Sequence, residues 1–177
     1  LACGAWGTLG VLTETTFKIL PRPETTITLV LYGLDDTRAV EAMSIAITSP
    51  FDVTGAAHMP KGLERVAATL IRLEGFKASV DYRIQQLRTL LQKFGTTETL
   101  DEHASSGLWR KIRNAEVLVE PYNDAVWKIS IAPSKSVAFL QRLSMVLSFR
   151  HFFDWGGGLI YLKCTTGDDA GALAIRN

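Results

Sequence analysis

Little in this sequence of 177 residues advertises chemistry. It has two cysteines, Cys3 and Cys164, near opposite ends. That excludes a cysteine-built zinc or iron–sulfur site and makes two incidental thiols a better reading than a disulfide. The three histidines, His58, His103 and His151, fall at no metal-ligand spacing, so each reads as a surface or hydrogen-bonded structural residue. There is no G-x-S-x-G elbow around Ser105 and Ser106, no G-x-G-x-x-G and no phosphate loop. An excess of one charge is lacking too. Nineteen Lys and Arg face eighteen Asp and Glu, for a net charge of +1, so nothing draws the chain electrostatically to nucleic acid or anionic lipid. The apolar runs are short and interrupted by charge, which excludes a bilayer-spanning helix, and the N-terminus has no signal-peptide pattern. A cytoplasmic location is the expectation from these absences.

What is present is an ordinary globular composition. Hydrophobic residues make up 47% and charged residues 21%, enough apolar matter for one generous domain or two small ones. β-Branched residues and alternation predict a strand over 25–34, with Ile27, Leu29 and Leu31 on one face. Asp35 or Asp36 can cap a helix running to Thr48, and Pro50 stops it. Strands are expected over 52–58 and 66–74, joined by a turn carrying Pro60 and Gly62. Val80, Ile84, Leu87, Leu91 and Phe94 then recur at spacings of four and three, an amphipathic helix closed by Gly95. A less regular helix over 101–114 and a linker over 118–124, broken by Pro121, follow. The pattern then returns: a strand over 125–131, a helix from Pro133, strands over 149–155 and 159–164 around Gly156, Gly157 and Gly158, and a helix from Asp168 or Asp169. The order strand, helix, strand, strand, helix occurs twice, as architecture rather than as identity of residues. Such βαββα halves build an α+β fold: one antiparallel sheet of about six or seven strands with helices on one face.

Two glycine clusters stand out. "FFDWGGGLIYL" reads as a tight turn with Asp154 bonded to its backbone, or as a place where a ligand or a second domain approaches against Trp155. The opening "GAWGTLGVLTE" spaces Gly4, Gly7 and Gly10 three apart and leads into a strand-like stretch over 11–19. A glycine loop usually follows something, so a chain that opens inside one is expected to be a piece of a longer protein.

The segment "GAWGTLGVLTETTFKILPRPE" resembles a signature of FAD-linked oxidases of the vanillyl-alcohol-oxidase type, in which G-T-L-G-[VI]-[IL]-T-E leads from the flavin domain into the substrate, or cap, domain. "LIRLEG", "AVWKISIAPS" and "FDWGGGLIYLK" are similar to cap-domain segments of the FAD-binding subunits of bacterial glycolate oxidases. The resemblance implies that residues 1–24 are the closing strand and loop of an otherwise missing FAD-binding domain. Residues 25–177 would be a cap domain truncated at its C-terminus. It implies FAD in the parent protein, with the backbone of Gly7, Thr8, Leu9, Gly10, Val11 and Leu12 against the flavin, and no retention of FAD by this fragment alone. The implied reaction is oxidation of a small 2-hydroxy acid, glycolate or D-lactate. The implied partners are a second flavin subunit and an iron–sulfur subunit, in a complex peripheral to the inner membrane. The N-terminal strand could also pair two copies of the chain. No metal ligand or catalytic residue is assigned; Arg72, Arg110 and Arg113 are conceivable carboxylate anchors, each more often a solvated charge. A competing reading is a non-catalytic ferredoxin-like module for ligand binding or subunit assembly, since fold does not fix function. Another member of the flavin superfamily, acting on a different alcohol or acid, is a third.

Overall fold

The computed structural model describes residues 3–19, 21–61, 65–120, 124–164 and 169–176. The first half of the repeat starts with β1 (Thr25–Tyr32), whose alternating apolar residues bury one side. Asp35 then caps α1 (Asp36–Thr48), its carboxylate accepting from the Arg38 backbone N–H at 2.8 Å. β2 (Gly55–Met59) and β3 (Ala68–Gly75) form an antiparallel pair; the turn expected between them lies partly outside the described residues. α2 (Lys77–Leu91) buries Val80, Ile84, Leu87 and Leu91, the stripe that its sequence announces. A short polar strand, β4 (Thr97–Leu100), and α3 (Glu102–Arg113), capped by Asp101, lead to the second half. That half repeats the order with β5 (Ala125–Ser130), α4 (Pro133–Leu143), β6 (Phe149–Asp154), β7 (Leu159–Cys164) and a short α5 (Ala172–Arg176).

These strands make one seven-stranded sheet among the described residues, in the order β4-β1-β3-β2-β6-β7-β5, antiparallel throughout. The order β1-β3-β2 is met by its own reverse, β6-β7-β5, so the two halves face each other across β2 and β6. Leu29, Leu31, Ile71, Leu73, Phe153, Ile160 and Leu162 line one face, under α1, α2 and α4. The α+β sheet with helices on one face is thus present, with one addition: α3 lies across the opposite face. There Trp109 and Ile112 pack with Val30, Ala57, Leu70 and Phe152.

Three further differences have physical reasons. Trp127 and Ile129, although apolar residues alternating along a predicted strand, are half-buried, because β5 is an edge strand that among the described residues pairs with β7 alone. The strand-like stretch over 11–19 is not a strand; a strand exists by pairing, and no described strand pairs with it. Conversely β4 has no strand signal of its own, since "TETL" carries a single apolar residue, Leu100; it forms as an edge strand by pairing with β1. Among the described residues no helix is long and apolar enough to cross a membrane.

The seam between the halves is narrow. Only His58 and Phe153 face each other in the β2–β6 pairing. Asp36, at the start of α1, reinforces it: its Oδ2 lies 2.9 Å from Nε2 of His151 on β6, and its Oδ1 lies 3.4 Å from Nε2 of fully buried His58, close enough for charge but without hydrogen-bond geometry. His58 Nδ1 is 2.9 Å from Thr69 Oγ1. Burial pushes the Asp36 carboxyl up, but His151 and His58 outweigh it and hold the group well below the ordinary carboxylate range. The glycine turn is the second contact. After β6, Trp155–Gly157 form a tight turn in which all three residues have positive φ. A Cβ on Gly156 would collide with Cδ1 of Ile47, and one on Gly157 would stand 3.2 Å from Cγ2 of Val40, both on α1. These glycines do permit a close approach, by α1 of the same chain.

Two outcomes are expected. Gly157→Val, at a φ of +94° and against Val40, should cost about 2–4 kcal/mol of stability in urea unfolding. Because the Asp36 pKa is lower folded than unfolded, its stabilisation is complete above the ordinary carboxylate range and is lost as pH falls. Asp36→Asn should lose about 1.5–3 kcal/mol at neutral pH. Its unfolding free energy should then decline less steeply than the wild type's between about pH 5 and pH 2.

Candidate functional site

Alternation along the strands decides which side chains meet on the face opposite α1, α2 and α4. With Ile71 and Leu73 turned toward those helices, Arg72 and Glu74 point the other way. α3 crosses that face and is anchored by Trp109, whose Nε1 donates to Thr28 Oγ1 at 2.8 Å in a buried contact. With Trp109 and Ile112 facing the sheet, α3 carries Arg110 and Arg113 to the rim of a cleft of about 490 Å³. Arg72, Asp154 and Trp155 also line it.

Arg72 is held rigidly. Its Nη2 donates to the Thr54 carbonyl at 2.8 Å, its Nε lies 3.3 Å from Thr54 Oγ1 and 3.5 Å from Glu74 Oε2, and its guanidinium lies over the Trp109 ring at 4.7 Å. Gly55 makes this possible. A Cβ there would stand 3.2 Å from both Arg72 Nε and the far edge of the Trp109 indole. The Arg110 and Arg113 side chains are exposed and make no ion pair or hydrogen bond with the described residues. The cleft therefore holds more positive charge than its own carboxylates consume.

The other wall comes from the second half. Asp154 is half-buried, and its Oδ1 accepts from the Trp155 N–H at 2.7 Å. Burial raises its pKa above the ordinary carboxylate value, against the opposing pull of the Trp155 N–H, Arg72 and Lys128. Trp155 is 65% exposed and adopts a left-handed φ of 52°, a conformation that costs a non-glycine residue about 1–3 kcal/mol. Lys128 Nζ lies 5.8 Å from the ring centres of both Trp155 and Tyr161, and Tyr161 stacks on Phe152.

The structure brings Arg72, Arg110 and Arg113 together in this cleft, which no spacing in the sequence foretold. It does not bring Gly7, Thr8, Leu9, Gly10, Val11 or Leu12 there; all six are exposed, and Thr8 folds back to bond the Ala5 carbonyl. His58 and His151, read as scattered, converge on Asp36, whereas His103 stays exposed on α3. Among the described residues no group of three or more His, Cys, Asp or Glu could hold a metal ion. Cys3 and Cys164 are both free. A larger hollow of about 1040 Å³ beside the start of α1 has Asp36 and His151 in its wall, but these two already satisfy each other. Sequence reasoning missed Trp109, Asp154, Lys128 and Tyr161 as neighbours. For Lys128, Asp154 and Tyr161 the one signal was strand alternation, which turns each away from its apolar neighbours; nothing local signalled Trp109. Trp109→Phe should unfold about 1–2 kcal/mol more easily, because it strands the buried Thr28 hydroxyl. Gly55→Val should displace Arg72, read as loss of the Arg72–Trp109 ring-current shift in the proton NMR spectrum.

No family model matches the chain. In sequence it is 30% identical over 180 residues to glycolate oxidase subunit GlcE of Escherichia coli (strain K12), covering 100% of this chain and 43% of that protein. The chain thus spans less than half the length of this curated relative. In structure it is similar to 4-ethylphenol oxidase from Gulosibacter chungangensis, solved with isoeugenol, at a TM-score of 0.53 and 8% identity over 82% of this chain and 40% of that one. At that identity the likeness speaks for the fold alone. The chain is therefore similar in sequence to a glycolate oxidase subunit and in fold to a phenol oxidase.

Proposed function

We propose that this chain is the cap module of a flavin-dependent 2-hydroxy-acid oxidoreductase, acting on glycolate or a close relative such as D-lactate. The observation that carries the reading is the whole-length similarity to a glycolate oxidase subunit, joined to a cleft in which Arg72, Arg110 and Arg113 converge. A small 2-hydroxy acid needs cationic donors for its carboxylate, and guanidinium groups provide them in bidentate geometry. When bound, FAD supplies the hydride acceptor. Gly7 to Leu12 fit one edge of it: they are exposed, with open space where the Cβ atoms of Gly7 and Gly10 would be. One edge does not enclose a ligand of that size, so FAD held there needs walls beyond these residues. By the same reading the chain works beside a second flavin subunit and an iron–sulfur subunit, at the cytoplasmic side of a membrane.

The full product of the gene should be purified with its partner subunits and its absorbance read for flavin, followed by assays with glycolate and D-lactate. Flavin reduced by either acid is the expected result. Since Arg110 and Arg113 are exposed and have no partner among the described residues, the double variant Arg110→Ala/Arg113→Ala should leave the melting temperature unchanged and raise KM at least about tenfold. A KM equal to the wild type's would remove the arginine cleft from the reading.

A further inference from the structure

Among the arginines of the cleft stands one carboxylate with nothing to neutralise it closely. Glu74 is taken up by Arg72 at 3.5 Å. Asp154 lies in no ion pair, and its only hydrogen bond joins Oδ1 to the Trp155 N–H, so Oδ2 has no partner among the described residues. As a turn residue, Asp154 needs only an acceptor for that N–H, which an asparagine oxygen would supply without burying charge. A half-buried charged group that the turn does not require invites another explanation. Its setting adds to this: the left-handed Trp155 and the turn wedged on α1 hold the carboxylate in place, while Arg72 and Lys128 favour its ionised form.

We propose that Asp154 engages the substrate's 2-hydroxyl group, accepting its hydrogen bond at Oδ2 and, during oxidation, its proton. This rests on the reading of the cleft given above. With the acid's carboxylate on the arginines and Glu74 paired with Arg72, Asp154 is the carboxylate of the cleft left to take the neighbouring hydroxyl. With the parent's flavin against this cleft, the cofactor would supply the hydride acceptor for C2–H, Asp154 would take the hydroxyl proton at Oδ2, and the acid would leave as its 2-oxo acid. A general base of this kind contributes typically about a hundredfold or more. Arg72 and Glu74 on β3, Arg110 and Arg113 on α3, Lys128 on β5 and Tyr161 on β7 are the charged and titratable groups around it.

The test uses Asp154→Asn, which keeps the acceptor for Trp155 and loses the base. In the flavin-loaded full product with its partner subunits, stopped-flow reduction by glycolate should slow at least about a hundredfold. The melting temperature and flavin content should be unchanged, and the dissociation constant of oxalate, a non-oxidisable analogue, should move less than about threefold. Independently of activity, the ¹³C signal of the Asp154 carboxyl in this chain should titrate above the ordinary aspartate range and shift when oxalate is added. Reduction within about fivefold of the wild type, or a carboxyl that titrates in the ordinary range and ignores oxalate, overturns the assignment and leaves the cap reading standing. A full product that holds no flavin, or whose flavin no 2-hydroxy acid reduces, overturns both.

Discussion

The fold hangs on a carboxylate that two histidines surround. Two sheet halves meet along β2 and β6 with a single facing pair, His58 and Phe153. One facing pair is a weak seam for a sheet of seven strands. Asp36 compensates because it belongs to α1 of the first half while His151 belongs to β6 of the second. Buried charge is costly unless paired, so once the halves are together this arrangement has few alternatives. Around it the apolar face closes: Ala39, Met43 and Ala46 of α1, Phe153 of β6, and Leu140 of α4 belong to one continuous core. The glycine turn after β6 completes the seam by letting α1 lie directly on backbone.

The candidate cleft is a consequence of that seam. Arg72 comes from β3 and Arg110 from α3, on one side of it, while Asp154 and Trp155 come from the end of β6 on the other. Neither half alone holds both the cations and the carboxylate. Any slip of β2 against β6 would move Asp154 relative to Arg72 and, by the period of two along strands, turn one of them toward the helices. The contact between α1 and the glycine turn therefore sets the geometry of the opposite face, although none of its atoms lies in the cleft. Stability and site geometry are coupled there. A substitution in the turn disturbs both at once, so its effect on activity alone would not reveal a ligand contact.

Much of this was legible in the sequence, for local reasons. The stripe of Val80, Ile84, Leu87 and Leu91 dictates α2 whatever lies next to it, because its spacing matches the helical period. Asp35, Asp101 and Pro133 mark helix starts through bonds and angles within a few residues. The twofold order of strands and helices follows from those periods, and with it the antiparallel sheet. The strand-like stretch over 11–19 is not a strand here, because only pairing makes one and no described strand pairs with it. β4 is the opposite case, being made a strand by β1 and not by its own residues.

The site is where sequence stopped and tertiary structure decided. Arg72, Arg110 and Arg113 each read as solvated charge, and their convergence depends on α3 crossing the sheet, which the Trp109–Thr28 hydrogen bond and the bare Gly55 permit. His58 and His151 are 93 residues apart and share a partner, Asp36, that neither announces. The chain alone determined its periods, caps and turns, because those interactions span a few residues. Only the folded sheet decided which face each charge would occupy and which distant residue would answer it, because such pairs form only after the halves have met.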